Sequence, residues 1–311
     1  MLYIIDGTGE LDDKIYKKQM KDSFCKQTRV EFDGWYHRGP ALSGSETYTI
    51  ADTAYNDIII RKSHLRGKEP LFLAGHSRGG AAVIYVAWQL KRSGYSVDAL
   101  FLFDAVERSA TRQNTPLRGG ENIDLIPTNV KVTYHARRDT SLKNQLMGNQ
   151  FELAARDAWS EYVNCLALST EGGDPSACEA RRLMAVKMQR FDDAVKLRMR
   201  ATFGHSPEGW TINFGNCGTK PAPPVGPSET ASKYIEWPFQ GSHGALGGTP
   251  IGAEDVSTWS EEEKKKYTWS EADRKLFRWI SHYDQAAVAK VRAWMWEKYA
   301  EQKLAFHHRP R

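Results

Sequence analysis

The sequence predicts an α/β fold: a mostly parallel central sheet flanked by helices, interrupted by a helical insertion. Two observations lead there. Short β-rich runs alternate with helical stretches through residues 1–140, and that alternation stops over residues 145–230. Strand–helix–strand alternation places helices on both faces of a parallel sheet, whose strands then read as short apolar runs.

The elements follow in order. Leu2–Ile5 is a buried strand. Residues 12–26 are polar and lysine-rich, which suits one surface helix, and residues 29–35 read as the next strand. Residues 47–65 have the apolar spacing of a helix. Residues 70–74 form a short apolar strand, residues 81–91 a helix, and residues 98–103 and 130–135 two further strands. Residues 151–202 then carry helical periodicity with many Arg and Lys residues. A Gly/Pro-rich stretch follows over residues 204–228, and a strand-like run resumes at 231–237. Residues 145–230 are read as an insertion within a single domain spanning 1–311. It is either a cap or lid over the carboxyl end of the sheet or a helical elaboration at its side. Residues 270–303 are helical and aromatic-rich, and the stripe containing Trp279, Trp294, Met295 and Trp296 reads as core packing.

Composition narrows the function classes. With 311 residues, 41% hydrophobic and 26% charged, the chain can bury a substantial core, and its net charge of +5 is no signature of nucleic-acid binding. Such a charge is compatible with peripheral contact to an anionic membrane. Cys25, Cys165, Cys178 and Cys217 are scattered without a Cys-x-x-Cys pair. They read as reduced structural thiols, with a Cys165–Cys178 bridge as the alternative. No carboxylates or histidines cluster at metal-ligand spacing, so neither metal nor other cofactor is expected. The amino terminus enters a strand at once, without signal-peptide pattern, and no apolar run approaches the roughly 20 residues needed to span a bilayer. These features predict a soluble chain, cytoplasmic as synthesised and compatible with signal-independent secretion.

The chemistry centres on Gly75-His76-Ser77-Arg78-Gly79. Gly-x-Ser-x-Gly is common by chance, but here it follows an apolar strand and precedes a small-residue helix start, Gly79-Gly80-Ala81-Ala82. That is the strand–turn–helix setting of a nucleophile elbow. The alternative is a serine in an ordinary strand-to-helix turn. In the catalytic reading Ser77 is the nucleophile, and the Arg78 backbone N–H at the helix start faces a developing oxyanion.

A serine hydroxyl needs a base, and the base an orienting acid. His243 lies in a glycine-rich loop after the last strand-like run, where a histidine can reach the elbow. His76, His135, His205, His282, His307 and His308 lack that context. For the acid, Asp104 ends an apolar strand directly beyond the elbow's helix, and Asp139 follows the next strand. Asp104 is favoured, because Asp139 sits in a charged, solvated-looking cluster with Arg137 and Arg138. Asp139 stays the alternative acid.

Assembled in order, these segments resemble the uncharacterised α/β-hydrolase domain family that includes the phospholipase effectors of type VI secretion. The resemblance rests on Asp6-Gly7-Thr8, Tyr36-His-Arg-Gly-Pro40, Gly75–Gly79, Phe103-Asp104-Ala105-Val106, His135-Ala136 and the loop from Pro238 to Gly248. It spans most of residues 1–250. It implies Ser77, Asp104 and His243 as nucleophile, acid and base, and a second oxyanion donor from the backbone of the Gly7–Thr8 turn. It also implies a phospholipid or other lipid ester as substrate and a delivery or immunity protein as partner. The chain departs from the family pattern at Gly244-Ala245, where Ser-Asp is usual, and at Arg137-Arg138-Asp139, where an acidic element is usual. The expected activity is therefore serine ester hydrolysis through an acyl-enzyme. The alternatives are a carboxylesterase for non-lipid esters and a non-catalytic module that keeps the fold.

Overall fold

In the computed structural model of the chain, the residues described are 1–9, 11–41, 44, 46–64, 69–107, 122–139, 217–241, 243–250 and 271–307. The chain divides into two compact units. One comprises Met1–Asp139, Asn213–Pro250 and Gln285–Arg311, the other Thr140–Ile212 and Ile251–Asp284. The first unit holds the sheet. Most of the 145–230 insertion, with Cys165, Cys178 and His205, lies outside the described residues.

Six strands form the sheet: β1 (Leu2–Ile5), β2 (Trp35–His37), β3 (Phe72–His76), β4 (Val97–Phe103), β6 (Val130–Arg138) and β8 (Lys233–Phe239). Their order is β2-β1-β3-β4-β6-β8, and each neighbouring pair is parallel. Two-residue strands β5 (Leu125–Ile126) and β7 (Lys220–Pro221) pair separately. The chain passes from β1 outward to β2, then returns to the other side of β1 for β3. That reversal opens a crevice beyond the carboxyl ends of β1 and β3, where parallel sheets bind ligands.

Alternate residues of the strands feed two cores. Tyr3, Ile5, Leu73, Leu100 and Leu102 pack with α3 (Thr47–His64) and α4 (Arg78–Arg92), through Ala54, Ile58, Ile84 and Val86 among others. Leu2, Ile4, Phe101, Phe103 and Tyr134 face the opposite way, toward Phe24 and Cys25 of α2 (Phe24–Phe32) and toward Val291, Met295 and Tyr299 of the carboxyl-terminal helix. Trp294 and Trp296 pack against this second core, as the aromatic stripe predicts. Side-chain burial at Trp279 lies outside the described residues.

The expectation for residues 12–35 needs correction. The single helix expected over 12–26 is two helices, α1 (Asp13–Gln19) and α2, and the strand expected over 29–35 is mostly helix. Two caps decide this. The Asp12 carboxylate accepts from the N–H groups of Lys14 and Ile15, and the Ser23 hydroxyl accepts from Lys26 N–H, starting a new helix. The polar–apolar alternation of Arg29-Val-Glu-Phe32 imitates a strand, but Val30 is 82% exposed on the outer face of α2. Asp33, with φ of 54°, and the Gly34 N–H bond to Arg29 O close that helix, so β2 begins only at Trp35.

Candidate active site

Ser77 is the single residue between β3 and α4, with φ 55° and ψ −128°. This region is unfavourable for an L-residue and persists only where the surroundings hold it. Here the Ser77 N–H donates to Phe103 O at 3.1 Å, and Ser77 O accepts from Gly80 N–H at 2.9 Å and Val106 N–H at 3.1 Å. The flanking glycines are required by close approach. A Cβ on Gly75 would lie 2.4 Å from Gly79 O, and one on Gly79 would lie 2.2 Å from Ile5 O. The turn therefore presses against the end of β1, and Ser77 is buried in it.

Asp104 follows β4 immediately, with φ of 43°, and its N–H donates to Ala136 O at 2.7 Å. His243 opens a short helix, α5 (His243–Leu246), beyond β8. The structure brings these three side chains together. His243 Nδ1 lies 2.6 Å from Asp104 Oδ2, and His243 Nε2 lies 2.8 Å from Ser77 Oγ. The carboxylate can only accept, so Nδ1 carries the proton and the Nε2 lone pair faces the hydroxyl. Asp139 is placed elsewhere: its carboxylate accepts from Gln240 Nε2 at 3.3 Å.

Arg138 is the residue that sequence reasoning missed. Read as part of a solvated cluster, it is buried and ion-paired with Asp104: its Nε donates to Oδ2 and its backbone N–H to Oδ1, the latter at 3.2 Å. Arg137, one residue earlier and on the opposite face of β6, pairs with Glu236 at 2.7 Å. The alternation along β6 is the signal that separates the two, because Arg138 shares its face with Tyr134 and Ala136.

The electrostatics follow from this packing. Burial alone raises the Asp104 pKa, but the Arg138 charge and the His243 contact outweigh it and hold the carboxyl well below its usual range. Burial lowers the His243 pKa, Asp104 raises it, and the charges of Arg138 and Arg78 lower it further. The net effect is downward, so the ring is neutral at neutral pH. Burial also depresses His76 to about 3 and His135 to about 4. His135 is neutral and occupied: its Nε2 accepts from Ala105 N–H at 3.2 Å, and Nδ1 sits 3.0 Å from the Tyr234 hydroxyl. It steadies the residue after Asp104.

Of the expected oxyanion donors, Arg78 is the first residue of α4, so its N–H lies at that helix's amino terminus. The Gly7–Thr8 turn divides its roles. The Gly7 N–H donates to Asp6 Oδ1 at 2.8 Å and is thereby committed, while the Thr8 N–H has no acceptor among the described residues. Arg78 Nη1 and Thr8 Oγ1 are 3.5 Å apart, so the two segments adjoin.

No protein-family model, curated protein or solved structure matches this chain. The assignment of chemistry therefore rests on the geometry itself. Among the described residues no three His, Cys, Asp or Glu side chains are grouped to hold a metal ion, and no helix is long and apolar enough to cross a membrane. Cys25 and Cys217 are buried, and the Cys25 thiol donates to Ile5 O at 3.7 Å.

Proposed function

We propose that this chain is a serine hydrolase of the α/β-hydrolase type that cleaves carboxylic esters through an acyl-enzyme. The observation that carries the reading is the continuous hydrogen-bond chain Ser77 Oγ–His243–Asp104, with the serine held at positive φ between a strand and a helix. His243 Nε2 takes the hydroxyl proton as Ser77 Oγ attacks the ester carbonyl. Asp104 keeps the imidazole in the required tautomer and offsets the charge of the imidazolium. The Arg78 and Thr8 N–H groups face the oxyanion. The imidazolium then protonates the leaving alkoxide, and His243 activates a water that releases the acid and restores Ser77.

The substrate class follows from the sequence resemblance: a phospholipid or another lipid ester. A fluorophosphonate probe tests the chemistry. The intact protein should be labelled and Ser77→Ala should not; equal labelling of the two removes Ser77 as nucleophile. Hydrolysis of phospholipid vesicles, compared with short p-nitrophenyl esters, tests the substrate. Turnover confined to the short esters rejects the lipid assignment.

A further inference from the structure

Asp6 is fully buried, follows β1 and lies directly before the Gly7–Thr8 turn. Besides Gly7 N–H, its carboxylate accepts from the Ser23 hydroxyl at 2.6 Å and the Tyr36 hydroxyl at 2.9 Å. No basic side chain pairs with it among the described residues. A buried carboxylate without a counter-charge is costly to keep. Structural anchoring of α2 and β2 accounts for the bonds to Ser23 and Tyr36. It does not account for the third bond, which fixes a backbone N–H inside the turn.

The next peptide is fixed as well. The Tyr16 hydroxyl donates to Gly7 O at 2.9 Å and itself accepts from Gly39 N–H at 2.6 Å. Tyr16 is 2% exposed on α1, so this hydroxyl is held away from water. A trans peptide is planar, and its C=O and N–H point in opposite directions. Holding Gly7 O toward Tyr16 therefore turns the Thr8 N–H to the other side of the turn. The turn adjoins the elbow: a Cβ on Gly7 would touch the His76 ring, and the Thr8 hydroxyl neighbours Arg78.

We infer that Tyr16 and Asp6 are positioning residues that aim the Thr8 N–H as the second oxyanion donor. Asp6 removes the competing Gly7 N–H, and Tyr16 sets the plane of the Gly7–Thr8 peptide. Neither touches the ester. This inference rests on the ester-hydrolase reading, and its test separates the two.

The experiment measures kcat and KM on a soluble ester, and the affinity of a trifluoromethyl ketone with the same acyl chain. Ser77 Oγ adds to that ketone carbon while its proton passes to His243, leaving an oxyanion on the former carbonyl oxygen. Losing one oxyanion donor costs roughly 100- to 1000-fold in kcat, so a misaimed donor in Tyr16→Phe should cost about 10- to 100-fold. Ketone affinity should fall by the same factor, with KM unchanged. A merely structural role would lower the Tm and leave kcat and ketone affinity intact below it. Asp6→Asn, which keeps an oxygen for Gly7 N–H, should retain at least about tenfold more activity than Asp6→Ala; that pair carries the test if Tyr16→Phe does not fold. Full kcat and ketone affinity in folded Tyr16→Phe, or equal activity in the two Asp6 variants, overturns the aiming role while wild-type turnover keeps the hydrolase reading. A wild type that neither turns over nor labels overturns both.

Discussion

Replacing Asp104 by Asn tests the site through its most unusual contact, the buried Arg138. In the wild type, Asp104 Oδ2 accepts from both His243 Nδ1 and Arg138 Nε, while Oδ1 accepts from Arg138 N–H. An asparagine has one acceptor. Placed at the Oδ2 position it still serves the imidazole and the guanidinium, so the tautomer of His243 is retained. What is lost is the charge and the acceptor for Arg138 N–H. At an effective dielectric constant near 20, a carboxylate about 4 Å from an imidazolium contributes about 4 kcal/mol, roughly a thousandfold in rate. The guanidinium repels the imidazolium by up to about 3 kcal/mol at about 5 Å in both proteins, so the expected loss stays near a thousandfold. Breaking a buried ion pair from one side also costs about 3–5 kcal/mol of stability. The double variant Asp104→Asn/Arg138→Gln removes that repulsion. It should regain roughly 10- to 100-fold in kcat/KM and most of the lost Tm. The assay is hydrolysis of a soluble p-nitrophenyl ester, well below each variant's Tm, alongside thermal melts. A double variant slower than Asp104→Asn would refute the claim that the Arg138 charge acts on the imidazolium. An Asp104→Asn variant within about tenfold of wild type would refute Asp104 as the acid.

Four further outcomes are expected. Asp139→Asn should keep kcat/KM within about threefold in the same ester assay, because that carboxylate contacts Gln240 rather than the imidazole. The pH profile of kcat/KM should fall on an acid limb below pH 6.5, since burial holds the His243 pKa below that value and the neutral ring is the active form. Histidines kept near 3 and 4 in the fold take up protons more readily when unfolded. Their contribution to stability is thus complete above about pH 6.5 and declines as the pH falls toward 4, and His135→Gln should flatten that slope in chemical denaturation. Gly79→Ala sets a Cβ 2.2 Å from Ile5 O and should cost about 3 kcal/mol or more, read as a Tm loss of roughly 5–10 °C.

The sequence made the parallel sheet legible because its central strands are apolar on both faces and each needs a helical crossover. The elbow was legible for a related reason: its glycines mark close approach, and its neighbours mark a strand becoming a helix. The segment around Arg29–Phe32 misled, because two helix caps outweigh a short run of alternation. Arg138 misled more deeply. Its pairing depends on the register between β4 and β6, in which Phe103 lies beside Ala136, and a linear reading cannot supply that register. The division of labour between Gly7 and Thr8 was equally hidden, since it depends on a hydroxyl that α1 brings to the turn.

The bond between Ser77 and His243 joins residues 166 positions apart in the chain. During synthesis the elbow leaves the ribosome long before the strand that delivers the imidazole. At translation rates of roughly 5–20 residues per second, the hydroxyl exists for about 10–30 s without its proton acceptor. Any esterase activity therefore begins only when β8 closes the edge of the sheet. Chains truncated before residue 243 lack the imidazole that faces the Ser77 hydroxyl.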